Sequence, residues 1–141
     1  MYDFVNGKEG QHLESLKEIE KLEKKYGIEF PQVLKEYYSK YDGEKIHLRT
    51  LMVDGYEWEV AKFVPIVSEK MNFESIADGD REDGFISADY YPIARDRGGN
   101  YYYWDAKTGK VYLVLVDDYE EPIKVADSVG QFLQDLCAED K

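Results

Sequence analysis

The segment 91–136 constrains the fold most, because its pattern changes from short strands to a helix. Three apolar runs, 91–95, 100–105 and 110–117, are separated by short connections that contain Gly98, Gly99 and Gly109. Glycine readily adopts the positive φ angles that tight turns between antiparallel strands need. The segment therefore predicts a three-stranded β-meander.

The end of this segment predicts an acidic loop and a terminal helix. In run 110–117 both alternating sets of side chains are apolar, which is typical of a strand covered on both faces or central in its sheet. We expect it to be the structural spine. Residues 117–121 are expected to form the loop. Ser128 and Gln131 have capping-box spacing before a buried helical stripe of Val129, Phe132, Leu133 and Leu136.

The N-terminal part predicts two helices. The first carries apolar residues at helical spacing from Leu13 to Tyr26 and stops at Gly27. Pro31 suits the first position of the second helix, which is short, aromatic and terminated by Asp42-Gly43.

The middle of the chain predicts a hairpin and a charged loop. Runs 46–53 and 57–64 flank Asp54-Gly55, a dipeptide typical of tight antiparallel turns. Beyond them, Met71, Phe73, Ile76 and Ala77 suggest a short helix or turn. We expect residues 78–84 to form an exposed loop.

The chain length indicates one domain over residues 1–141. A chain of 141 residues can bury about two thirds of its unfolded surface around one core. Hydrophobic residues make up 43% and aromatic residues 15%, which is typical of a globular protein.

The net charge of −12 restricts the partners of this protein. Residues 71–141 hold 16 acidic and 7 basic residues, whereas residues 1–70 hold 14 and 11. A negative field repels phosphate backbones and anionic lipids, so we expect no direct nucleic-acid or membrane binding and an attraction for basic partners. Solubility alone is the alternative explanation of this charge.

The sequence shows no pattern typical of an enzyme. His12 and His47 are the only histidines, and neither has a neighbour at metal-ligand spacing. Gly98-Gly99-Asn100 lacks the helix of a phosphate loop, and the acids from Asp78 to Asp89 miss the calcium-loop register because Gly84 comes one position late. We therefore expect no catalytic residue, no metal site, no cofactor and no enzymatic activity.

The cellular compartment is expected to be the cytoplasm. Cys137 is the only cysteine, so no internal disulfide can form, and a small hydrophobic role suits it. The longest apolar run is Val111 to Val116, and residues 1–8 lack the features of a signal peptide.

Two segments resemble the SUKH superfamily of Smi/Knr-type proteins. In the first, residues 19–43, a helix ending at Gly27 precedes an apolar-Pro step at Pro31 and a second helix. The second has Pro92-Ile93-Ala94, Gly98-Gly99-Asn100, Asp105, Gly109-Lys110-Val111, Ala126-Asp127-Ser128 and Phe132-Leu133 in the family's order. The resemblance covers about residues 13–136 and departs from the common pattern at Asp42-Gly43-Glu44.

The resemblance implies an α+β fold, in which an antiparallel β-sheet meander is packed by an N-terminal helix pair and a C-terminal helix. It also implies an immunity protein that neutralises a cognate bacterial polymorphic or contact-dependent toxin, with a nuclease as the commonest class. A regulatory scaffold or small-ligand-binding module of the cell-wall-regulator type is the alternative. The sequence leaves the oligomeric state open.

Acidic and tyrosine residues are the candidates for binding a basic toxin domain. Tyrosine is enriched at interface hot spots, although about half of the rings in a meander must face the core. Trp58 and Trp104 are expected to serve packing. The candidates are Asp78, Asp80, Glu82, Asp83, Tyr90, Tyr91, Tyr101, Tyr103, Asp117, Asp118, Tyr119, Glu120 and Glu121.

Overall fold

The computed structural model describes residues 2–67 and 70–137, apart from the side chains of residues 118–120. Its described part is a mixed α+β structure. The helices are α1 Leu13–Tyr26, α2 Gln32–Tyr41, α3 Phe73–Asp83 and α4 Val129–Asp135. The strands are β1 Arg49–Val53, β2 Tyr56–Val60, β3 Lys62–Phe63, β4 Tyr90–Arg95, β5 Tyr101–Asp105, β6 Val111–Leu115 and β7 Asp118–Ala126.

The helix ends follow local backbone chemistry. Gly27 ends α1 with a left-handed φ of 68°, as its position after the apolar stripe predicts. Pro31 precedes α2 as its N-cap, one residue earlier than expected. The Ser128 side chain accepts a hydrogen bond from the Gln131 amide and caps α4.

The strands form two antiparallel sheets. β1 and β2 make a hairpin in which Asp54 and Gly55 both have positive φ, 52° and 85°, confirming the predicted turn. The second sheet has the order β3-β4-β5-β6-β7 and contains the predicted meander as β4–β6. Run 57–64 is not one strand, since it breaks at Ala61 and its second part, β3, joins the larger sheet.

Two predicted loops are regular structure. The prediction of an exposed charged loop at 78–84 is wrong, because α3 continues to Asp83 and ends at Gly84 with φ 80°. The prediction of an acidic loop at 117–121 is also wrong, because β7 begins at Asp118 and pairs with β6. Pro122 is tolerated in β7 because an edge strand leaves one row of backbone groups unpaired.

The core lies between the larger sheet and the helices. β5 occupies the middle of the sheet, and Tyr102 and Trp104 on it are 0% and 2% exposed. β6, the strand predicted to be central, is an interior strand between β5 and β7. The middle strand of the five is β5. Phe30, which precedes α2, packs on Trp104 and on Phe73 of α3, and Phe132 of α4 packs on Tyr102.

Candidate functional site

The register divides the tyrosines of the meander between two sheet faces. Opposite residues on paired strands share a face. Tyr91 pairs with Trp104 and packs on Phe73 of α3 with ring centroids 5.8 Å apart, so it lies on the inner, helix-covered face. Tyr101 and Tyr103 alternate with Tyr102 and Trp104, which places them on the opposite, outer face.

The outer face carries a group of four tyrosines, Tyr90, Tyr101, Tyr103 and Tyr112, here called the outer tyrosine cluster. The ring of Tyr90 stacks on that of Tyr112 at 5.3 Å and tilts against that of Tyr103 at 5.9 Å. The rings of Tyr101 and Tyr103 are 6.3 Å apart. Tyr103 is 3% exposed, whereas the other three rings are half-buried. The three half-buried rings keep part of this aromatic group accessible, whereas the Tyr103 ring is buried among them.

Helix α3 borders this surface along the β4 edge that the two-residue β3 leaves open. Arg81 donates hydrogen bonds to the backbone carbonyls of Ala88 and Tyr90. Its guanidinium also lies 4.3 Å from the centroid of the Tyr91 ring. An Asn72–Ser75 capping box fixes the beginning of the helix. The contacts of Arg81 fix this acid-rich helix to the sheet.

The acidic residues of α3 point in different directions. The Asp80 carboxylate accepts a hydrogen bond of 2.9 Å from the Tyr103 hydroxyl and so joins the outer tyrosine cluster. Asp78 accepts hydrogen bonds from Tyr26 at 2.6 Å and from Lys25 at 2.9 Å, on the side of α1. Glu82 and Asp83 are exposed.

Burial sets the protonation of this site. It raises the pKa of Tyr90 to about 12. It also raises the pKa of Tyr101, which the nearby Arg95 opposes and Asp80 reinforces. Burial raises the pKa of the Asp80 carboxyl, against the hydrogen bond from Tyr103. At neutral pH these phenols stay protonated, so they can donate hydrogen bonds to a partner.

The remaining candidates do not join this surface. Tyr91 is 3% exposed and lies in the core. Asp117 and Glu121 are exposed, near the β6–β7 connection and on β7. The side chains of Asp118, Tyr119 and Glu120 lie outside the described part of the structure. β7 lies three strands away from β4, which α3 borders. The acidic residues near the start of β7 are therefore roughly 14 Å or more from those of α3.

Sequence reasoning missed Tyr112 and a groove beside the outer tyrosine cluster. Tyr112 faces outward because it pairs with Tyr103. The groove has a volume of about 430 Å³ and is lined by Lys62, Arg95 and Tyr101, among others. Strand alternation could have indicated these residues only once the register was known, because a register shift of one residue moves every side chain to the opposite sheet face.

The described residues contain no group of three or more His, Cys, Asp or Glu side chains placed to hold a metal ion. His12 is the N-cap residue of α1 without a side-chain capping bond. Cys137 is half-buried and forms no disulfide, and its thiol donates a hydrogen bond to the Leu133 carbonyl at 3.7 Å. Within the same residues, none of the helices has the length and apolar character needed to cross a lipid bilayer.

The fold is that of a small α+β domain, and its outer sheet face carries an aromatic group beside the acidic helix α3. The chain belongs to the SMI1/KNR4 family (SUKH-1), whose model matches residues 14–135. This match confirms the resemblance to the SUKH superfamily. A search of curated proteins found no match.

Proposed function

We propose that this protein is an immunity protein that neutralises a cognate bacterial toxin, of the nuclease class, by direct stoichiometric binding in the cytoplasm. Membership of the SMI1/KNR4 family supports this role, because the SUKH superfamily includes immunity proteins. The net charge of −12 supports a basic partner, since a strongly negative protein attracts positive surfaces.

The observation that carries the proposal is the outer tyrosine cluster beside the acidic helix α3. Half-buried tyrosine rings offer large amphipathic contact area with few rotatable bonds, which is why they recur at binding hot spots. Asp80 holds the Tyr103 ring against the sheet. The exposed carboxylate of Asp83 lies near that of Asp80 and adds negative charge at the rim. A basic surface fits both the rings and the carboxylates.

The experiment measures complex formation with a toxin domain, which we expect the neighbouring gene to encode. We expect a one-to-one complex by size-exclusion chromatography with light scattering, and loss of toxin activity at equimolar protein. Tyr112→Ala should weaken binding by about tenfold or more, as for a hot-spot ring. Tyr56→Ala is the matched control, because Tyr56 is 67% exposed at the β1–β2 hairpin.

The outcomes separate function from interface. Absence of a complex and of inhibition would refute the proposed function. Inhibition that is weakened by Tyr56→Ala and unaffected by Tyr112→Ala would retain the function and move the interface to the hairpin. Both variants should keep cooperative thermal unfolding, so that loss of binding is not loss of fold.

A further inference from the structure

The groove beside the outer tyrosine cluster is positively charged, in contrast to the chain as a whole. Three cations line it, Lys62 and Arg95 on the sheet and Lys70 before α3. Its lining contains no carboxylate among the described residues. The groove therefore has the charge opposite to that of the surface proposed to bind the toxin.

Two of these cations face each other directly. Lys62 of β3 pairs with Arg95 of β4, and Arg95 pairs with Tyr101 of β5, so the three side chains form one row on the outer face. Like charges directly opposite each other on neighbouring strands destabilise a sheet. An anion between the two cations would remove this repulsion.

The hydrogen bonds of the cations leave capacity for a ligand. One nitrogen of Arg95 donates to the Asp96 carbonyl at 3.1 Å, which leaves the other donors of its guanidinium. Within the described residues, Lys62 is exposed and makes no ion pair. Long-range repulsion from the rest of the chain is screened beyond about 8 Å at physiological salt, so these cations dominate at contact distance.

Apolar groups form the rest of the groove. The half-buried ring of Tyr101 lines one wall, and Met71 is 61% exposed at the rim. Ile76, 8% exposed, and Pro65 add further apolar surface. The volume of about 430 Å³ lies in the range of small-molecule sites. The lining thus combines a cationic end with a flat apolar wall.

We propose that this groove binds a small organic anion, with its carboxylate or phosphate between Lys62 and Arg95 and its flat apolar body against Tyr101 and Met71. The anionic oxygens accept hydrogen bonds from the ammonium and the guanidinium. Such a ligand suits the alternative function, that of a small-ligand-binding module. The proposal does not depend on toxin binding.

The test is a titration of the whole chain followed by amide NMR spectra, with benzoate and phenyl phosphate as probes and benzamide as the uncharged control. We expect saturable shifts of the amides of Lys62, Arg95, Gly99 and Tyr101, with a Kd on the order of 1 mM. Tighter binding of phenyl phosphate identifies phosphate monoesters as the ligand class, and tighter binding of benzoate identifies carboxylates. Benzamide should give no saturable shifts at these amides.

The variant Lys62→Gln should weaken binding of the tighter probe about fivefold or more. It should also raise the thermal midpoint of the unliganded protein, because the cross-strand repulsion is removed. Lys107→Gln is the matched control, since Lys107 is an exposed cation in the β5–β6 turn. The proposal is overturned by absent shifts with both anions, by equal shifts with benzamide, or by equal affinities of Lys62→Gln and the wild type.

Discussion

The hydroxyl of Tyr103 donates a 2.9 Å hydrogen bond to the carboxylate of Asp80, and this bond joins the acidic helix α3 to the outer face of the sheet. The bond brings a negative charge to the edge of an aromatic surface. Asp78, two residues earlier, bonds to Lys25 and Tyr26 of α1 instead. Neighbouring acids of one helix thus serve different parts of the protein.

The first prediction concerns the opposite pH dependence of these two acids. The pKa of Asp80 is raised, mainly by burial, whereas a hydrogen bond from Tyr26 is the main cause that lowers the pKa of Asp78. The stability contribution linked to the raised pKa of Asp80 is present below the unfolded value of about 3.9 and is lost as the pH rises through the folded value. That of Asp78 is present above the unfolded value and is lost as the pH falls through the lowered one.

The measurement is the free energy of unfolding in urea between about pH 3 and pH 7. Relative to the wild type, Asp80→Asn should gain stability as the pH rises, and Asp78→Asn should lose it. Trends of the same sign in both variants would contradict the assignment.

The second prediction concerns the β4–β5 turn. Gly99 has a φ of +94°, which a β-branched side chain adopts only with strain. Gly99→Val should lower the free energy of unfolding by about 1 to 3 kcal/mol. Gly98→Ala is the control, because an added methyl at Gly98 meets Asp96 at an ordinary 3.6 Å. An unchanged denaturation midpoint for Gly99→Val would exclude the strain.

The third prediction concerns electrostatic steering of the toxin. Replacement of Asp117, Asp118, Glu120 and Glu121 by Asn or Gln should slow association at low salt by up to about tenfold and reduce its salt dependence. Asp83→Asn, close to Asp80 at the outer tyrosine cluster, should slow it more per charge removed.

Stopped-flow kinetics at several ionic strengths measure both effects. The control is Glu14→Gln with Glu20→Gln, which removes two exposed charges from α1. On-rates and salt slopes that match the wild type in all variants would mean that these charges serve solubility alone.

The fourth prediction concerns the buried carboxylate of Asp42. It is 8% exposed and accepts hydrogen bonds from the Ser15 hydroxyl at 2.6 Å and from the amides of Ile66 and Val67 at 2.8 and 3.1 Å. Asp42→Ala leaves these buried donors without their acceptor and should cost about 3 kcal/mol.

Ser15→Ala is the control for Asp42, since it removes one donor and leaves the carboxylate its two amide bonds. It should cost about 1 kcal/mol. Chemical denaturation measures both values. A loss in Asp42→Ala no larger than that in Ser15→Ala would show that the carboxylate does not hold the segment after β3.

Sequence patterns predicted the elements whose ends are set by residues close to them in the chain. α1 ends at Gly27, and the Asp54-Gly55 turn forms the β1–β2 hairpin. The patterns failed for residues 78–83 and 118–121, where acids reduced the apparent periodicity. For residues 78–83 the structure depends on contacts with residues distant in the chain, such as those of Asp78 with Tyr26 and of Asp80 with Tyr103.

The candidate site shows the same division. Tyr90, Tyr101, Tyr103 and Asp80 were candidates by residue type, and the structure brings them together. Tyr91 was a candidate for the same reason, but its ring faces the core. Residue type indicates that a tyrosine can bind a partner, whereas the strand register decides which sheet face it occupies.

By itself the sequence determined the helix pair, the meander and the negative charge, because these depend on composition and on short-range backbone preferences. Its motifs indicated the family. Only the tertiary structure placed Lys62 opposite Arg95 and the Asp80 carboxylate on the Tyr103 hydroxyl. Each pair joins residues more than twenty positions apart in the chain. Such contacts depend on strand register and on the packing of α3 against β4, which local patterns do not specify.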